Sequence, residues 1–197
     1  MKNERTIARA VGALMLAAFL LYGVGSSIAT TAAPGALLAT GAALMLANSV
    51  AVIVIGVLML PILRPHTPAV ANGYLGTRIF EGVFLAAGAV ALLLASPGTN
   101  FLAYNIAMAG LGLGSLFFCV ALYRARLVPR FLAVWGFVGY AAFAAGCILE
   151  LAGVAAAGLV SAIPGGLFEL FFGVWLIVRG FSSAGATATT PGVAARA

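Results

Sequence analysis

Glu81, Glu150 and Glu169 fall inside the apolar stretches of this chain, and they are the residues best able to do chemistry there. Glu169 precedes Arg179 by ten residues, so it lies about 15 Å along a helix from that basic flank, close to the middle of a bilayer. An ionisable group at that depth costs about 3 kcal/mol or more and marks a candidate site for a proton, ion or polar ligand. The competing reading is a glutamic acid that hydrogen-bonds a neighbouring helix as structural glue. Both readings stay open. Glu81 follows Arg78 by three residues, so the two share a helical face and can pair. Arg78 is expected at the inner membrane boundary, where it can snorkel, and a structural pair is the leading reading there. Asn48 is the most deeply placed amide; it could line a polar interior with Glu169, Glu81 and Arg78, or bond across helices. Glu150 is expected near the outer surface, solvated.

One turn outward of Glu169 stand Pro164, Gly165 and Gly166. Proline removes a backbone hydrogen bond and two glycines permit unwinding, so a helix break beside the buried acid is one outcome and a plain kink the other. Gly/Pro-interrupted spans point to transporter binding sites.

Other chemistries find no residues. His66, the one histidine, sits in a proline-flanked loop, so no His/carboxylate metal set is expected. Without Asp there is no Ser-His-Asp set. With Lys2 as the one lysine, no buried Schiff base can form. Gly110-Leu-Gly-Leu-Gly114 lies inside an apolar span, and the spacing of Gly110 and Gly114 suits close helix packing better than a nucleotide loop. No catalytic residue, cofactor or metal is therefore assigned. An enzyme ranks third among the functions, since its acid, base and nucleophile would all have to be glutamates.

The elements that must hold these residues are membrane helices. Of 197 residues, 64% are hydrophobic and 7% charged, with a mean hydropathy of +1.19. A soluble domain is nearer half apolar and a quarter charged, so a soluble fold is excluded. Six spans are expected, near residues 7–25, 36–63, 72–95, 101–123, 129–152 and 158–178. The reading is an all-α integral membrane protein whose six-transmembrane-helix bundle fills residues 1–181, followed by a disordered cytoplasmic tail at 182–197. Basic residues, an apolar run and the small residues 29–33 at the start also describe a signal peptide, but five further spans favour a retained helix. Cys119 and Cys147 lie at opposite ends of their spans, about 20 Å apart in depth, so no disulfide is expected.

All ten Lys and Arg residues fall at the termini or near 64–78 and 124–130, and none near 26–35, 96–100 or 152–157. Basic side chains resist translocation, so both termini are expected in the cytoplasm, N-in and C-in. The elbow carrying Arg124, Arg126 and Arg130 is then cytoplasmic. The pI near 10 marks topology and attraction to anionic lipid rather than nucleic-acid binding. Trp135, Trp175, Tyr22, Tyr74, Tyr104 and Tyr123 lie mostly toward the span ends, as aromatic belts do, and ordinary packing explains single cases equally well. Nine Arg to one Lys, with abundant Ala and Gly, suggests a GC-rich bacterial genome and hence a multi-pass protein of the bacterial inner membrane.

Residues 76–84 and 164–172 align at an offset of 88, with Phe80-Glu81 on Phe168-Glu169 and Phe84 on Phe172. The same offset lays the first three spans over the last three, which suggests a weak 3+3 inverted repeat.

Three segments together resemble one family: Gly73-Tyr-Leu-Gly-Thr-Arg-Ile-Phe-Glu81; Tyr123-Arg-Ala-Arg-Leu-Val-Pro-Arg130 with Trp135-Gly136; and Glu169 followed by Gly173-Val-Trp-Leu-Ile-Val-Arg-Gly-Phe181. The chain is similar, over nearly its whole length, to the bacterial membrane family catalogued as domain of unknown function forty-three eighty-six. The resemblance implies the fold and the membrane location, and it makes Arg78, Glu81, Arg124, Arg126, Arg130 and Glu169 the family's recurring polar positions. Ala125 and Arg179 are mild departures, where Ser and Lys are common. The resemblance brings no activity with it.

The leading function is binding or translocation of a small solute, ion or lipophilic molecule through a polar interior, which makes the chain a candidate transporter. The alternative is a non-catalytic scaffold or accessory subunit that partners another membrane protein through Gly110, Gly114 and the basic elbow. The partners implied are the lipid bilayer and a small molecule or proton, with no nucleic acid and with room for a homo-oligomer.

Overall fold

The computed structural model of the chain describes residues 2–182, and their regular structure is entirely helical. Six helices follow one another: α1 (Lys2–Thr31), α2 (Ala36–Leu63), α3 (Pro68–Leu93), α4 (Pro97–Arg124), α5 (Arg130–Leu151) and α6 (Ala157–Val178). Each is long and apolar enough to cross a membrane, which makes this a multi-pass membrane protein. Large apolar side chains such as Val50, Leu113, Phe117, Val138, Leu159 and Val160 face outward. That surface would drive aggregation in water and suits contact with lipid. The expected tail lies outside the described residues beyond Ser182, and Arg196 with it.

Loops of three to five residues force sequential helices to run antiparallel. Each helix packs on its neighbours in sequence and α1 closes on α6, so the six form a ring. Glycines set the seams. A Cβ on Gly12 would collide with the Gly173 carbonyl, one on Gly25 would lie 2.9 Å from the Gly41 carbonyl, and one on Gly139 would lie 2.9 Å from Gly165 Cα. Where apolar packing against lipid gives no driving force, such backbone-to-backbone approach supplies the van der Waals contact that holds helices together. Gly110 and Gly114 serve the same purpose inside the ring: Gly110 faces the Phe80 ring and Gly114 faces Thr77, both on α3.

A ring leaves an axis to fill. At the end that carries Arg64, Arg124, Arg126, Arg130 and Arg179, aromatic side chains fill it. The ring centroids of Tyr74 and Phe118 are 4.3 Å apart, Phe118 and Phe172 6.1 Å, and Phe168 and Phe172 5.4 Å. The elbow at this end is a Schellman turn. Arg126 adopts a left-handed conformation (φ 51°), and the Leu127 amide donates 3.1 Å back to the Leu122 carbonyl. Leu127 and Val128 turn inward, leaving Arg124, Arg126 and Arg130 exposed, and the Ser182 amide donates to the Leu127 carbonyl at 2.8 Å.

Three expectations change. The first helix runs on to Thr31, because Ser27, Thr30 and Thr31 hydroxyls fold back onto the carbonyls of Gly23, Ser26 and Ser27, each at 2.7 Å, and so do not interrupt it. The helix does not break at Pro164, Gly165 and Gly166; α6 continues through them. Gly139 packs against the Pro164–Gly165 backbone, so these small residues allow α5 to approach α6. Arg78 does not snorkel from the boundary. The third helix begins at Pro68, which places Arg78 ten residues, or about 15 Å, inside it. Arg78 also leaves the count of flanking charges, so among the described residues the basic asymmetry is eight to zero (ten less Arg78 and Arg196).

Candidate ligand-binding cavity

Above the aromatic filling, the axis holds a layer of polar groups. Arg78, ten residues into α3, Tyr140, ten into α5, and Glu169, nine from the end of α6, reach similar depths on three helices. Arg78 is 2% exposed and Glu81 4%. A guanidinium withdrawn from water carries five N–H donors to be matched, and two of them are hydrogen-bonded. Nη1 donates to Glu81 Oε2 at 2.9 Å and Nε to the Tyr74 hydroxyl at 2.9 Å, with the guanidinium 5.2 Å above the Tyr74 ring. Nη2 lies 3.8 Å from Glu169 Oε1, an ion pair too long for a hydrogen bond, and is buried with no hydrogen-bond partner. The Tyr140 hydroxyl donates to the same Glu169 oxygen at 2.6 Å. One cation thus bridges carboxylates on α3 and α6 across a ring in which those two helices are not neighbours.

The polar layer borders a cavity of about 220 Å³, lined by residues of all six helices. Arg78, Glu81, Glu169 and Asn48 all stand in its wall. Asn48, 3% exposed, makes no hydrogen bond with any described residue, so its amide is free to meet an occupant. The rest of the lining is apolar and aromatic. Tyr22 and Tyr104 stack with centroids 5.5 Å apart, and Phe19, Phe143, Met15 and Met108 contribute further surface. A mostly apolar hollow with a few convergent polar groups is the usual form of a small-molecule site.

The cavity is walled unevenly. Its lining residues on α2, α3 and α5 are buried, whereas Phe19 and Gly23 on α1 are exposed and Ala162, Gly166 and Glu169 on α6 are partly so. The α1–α6 seam explains this. At Gly12 and Gly173 the backbones touch; at Gly166 an added Cβ would meet the tip of the Phe19 ring at 3.5 Å; at Gly23 it would meet nothing within 4 Å. The seam therefore widens away from the basic end, and the cavity opens there.

Of the residues singled out from sequence, Arg78, Glu81, Asn48 and Glu169 come together here. Pro164 lies beside them: its carbonyl accepts from Trp135 Nε1 at 3.1 Å. Arg124, Arg126 and Arg130 remain apart on the surface. Glu150 is not merely solvated; its Oε2 accepts from the Gly158 amide at 2.6 Å and satisfies the N-terminus of α6. Tyr22, Tyr74 and Tyr104 point inward, where their hydroxyls and rings serve the polar layer and the cavity instead of an interfacial belt. Tyr140 was not foreseen. The signal was present: Tyr140 follows Arg130 by ten residues as Glu169 precedes Arg179 by ten, so antiparallel helices bring them level.

A family model described as a domain of unknown function (DUF4386) matches residues 6–100 and 97–180, and the chain belongs to that family. Neither the curated proteins nor the solved structures offer a match to it.

Proposed function

We propose that the protein binds a small solute, ion or lipophilic molecule inside its helix ring, as a binding or translocation protein of the bacterial inner membrane. The observation that carries this reading is the cavity itself, open at the α1–α6 seam and reaching Arg78, Glu81, Asn48 and Glu169. A scaffold would need no such hollow, and its small-residue contact surface is already taken, since Gly110 and Gly114 face α3.

Among the described residues the remaining basic residues, eight at one end and none at the other, support N-in/C-in orientation, with the cavity opening toward the outer half of the membrane. The cyclic order supports a 3+3 inverted repeat, because a ring closed by α1 on α6 maps onto itself when each helix is advanced by three. Under that operation Glu81 and Glu169, 88 residues apart, are equivalent acids facing one arginine.

Cysteine accessibility tests the central point. In a background with Cys119→Ala and Cys147→Ala, Asn48→Cys should react with N-ethylmaleimide, whereas Ser115→Cys should not, since Ser115 is fully buried and outside the cavity lining. Equal inertness of the two thiols would mean a closed, dry interior and would sink the proposal.

A further inference from the structure

We infer that the ligand is a small organic monocation with an apolar body, an ammonium compound that reaches the cavity sideways between α1 and α6. This rests on the cavity being a binding site, as proposed above. Charge comes first. Among the twenty lining residues, three are charged: Arg78 contributes +1, Glu81 and Glu169 contribute −2, and the formal sum is −1. Arg78 is already committed to Glu81 at 2.9 Å and to the Tyr74 hydroxyl. Glu169 holds Arg78 only at 3.8 Å, and its side chain is the exposed one of the two acids, at 19% against 5%. The surplus carboxylate is therefore Glu169, and it faces the hollow. An anion drawn by the unpartnered Arg78 Nη2 would have to approach alongside the Glu169 oxygen and be repelled.

The second argument is the wall. Tyr22, Tyr104, Tyr140, Phe19 and Phe143 give the cavity five aromatic side chains, and aromatic faces attract quaternary and protonated amines through the ring quadrupole. A metal ion would want several oxygen ligands at close range, and here most of the surface is apolar. The third is size. At 220 Å³ the cavity is smaller than the roughly 300–1,000 Å³ of drug-sized pockets, so the occupant is compact. The fourth is the route. The mouth lies in the lipid-facing seam beside Phe19 and Gly23, where an amphiphilic cation concentrated in the bilayer can enter without crossing water.

Three probes of one shape separate these arguments: benzyltrimethylammonium, its uncharged carbon isostere neopentylbenzene, and phenylmethanesulfonate. Each is scored by the concentration that half-protects Asn48→Cys from N-ethylmaleimide in nanodiscs, after subtracting its partition into empty nanodiscs. The ammonium should protect about tenfold better than the isostere, the range expected of one well-placed charged partner, and the sulfonate should not protect. Glu169→Gln should remove most of the preference for the ammonium, leaving only what the aromatic wall supplies, and leave the isostere unchanged. The comparison of probes on Asn48→Cys with Glu169 intact stands even if that variant misfolds. Equal protection by ammonium and isostere, or stronger protection by the sulfonate, overturns the inference while the labelling of Asn48→Cys keeps the binding cavity. Labelling that none of the probes blocks also overturns it. Absence of labelling at Asn48→Cys removes both.

Discussion

Replacing Arg78 by Met tests whether one guanidinium neutralises the interior. Methionine keeps the length and the helix propensity of arginine and deletes the charge. Arg78 and Glu81 side chains are 3% and 5% exposed and 2.9 Å apart, so the substitution leaves the Glu81 carboxyl buried with no cation beside it. Breaking a buried pair from one side costs about 3–5 kcal/mol, because the orphaned charge keeps its desolvation penalty. Glu81→Gln should cost less. The freed guanidinium retains the Tyr74 hydroxyl and can close the 3.8 Å gap to Glu169, so about 1–2 kcal/mol is expected, near the worth of one charged hydrogen bond. Arg78→Met combined with Glu81→Met should recover most of the loss, since a matched apolar pair is often as stable as a buried ionic one and Glu169 keeps Tyr140 and partial exposure. SDS titration of the protein in mixed micelles, followed by helical circular dichroism, gives all three values. A loss for Glu81→Gln equal to or greater than that for Arg78→Met would refute the reasoning, because it would show that Arg78 does not serve both acids.

Gly139→Ala should destabilise by about 1–3 kcal/mol, since its Cβ would meet the α6 backbone at 2.9–3.1 Å, whereas Gly23→Ala, facing open space, should stabilise α1 by up to about 1 kcal/mol; the same titration reads both. Glu150→Ala should cost about 1 kcal/mol and speed amide exchange at Gly158, whose N–H loses its acceptor; unchanged exchange would show that Glu150 is not a cap. Reporter fusions at Gly98 and at the C-terminus should mark opposite sides of the membrane, and agreement between them would reject the N-in/C-in assignment.

The six spans were legible because membrane insertion depends on summed apolarity, which no tertiary contact needs to complete. The second helix falls at the expected Ala36–Leu63, between Pro34-Gly35 and Arg64. Legibility failed where polar or small residues satisfy themselves within a helix. Ser27, Thr30 and Thr31 read as a loop until their hydroxyls are seen to bond their own backbone, and Pro164-Gly165-Gly166 reads as either a break or a kink until Gly139 is seen against it. Arg78 was the costliest misjudgement. A lone arginine six residues past the assumed start of a span is a boundary residue by default, and its compensation depends on Glu169, which lies 91 positions later. Sequence named the two acids, the arginine and the amide. It could not show that Glu169 meets an arginine on α3 across the ring as well as Tyr140 on the neighbouring α5.

The layering along the axis bears on whether the protein binds or conducts. Tyr74, Phe118 and Phe172 each lie six residues inside the basic end of their helix, about 9 Å deep, and all are 2% exposed or less. They form a floor beneath Arg78, and Arg78 with its two acids forms the next layer. An occupant of the cavity therefore meets a fixed charge and then a dry aromatic stack, without a water path to the basic end. Conduction through the axis would require that stack to repack and Arg78 to leave Glu81 or Glu169, which are discrete rearrangements of packed side chains. Binding requires neither, since the α1–α6 seam is already wide at Gly23. The arrangement is open at the side and closed toward the basic end. If it is one half of a transport cycle, the charge an occupant brings to Glu169 is what would free Arg78 to move, because a cation at that carboxylate takes the guanidinium's place there and leaves the Glu81 pair intact.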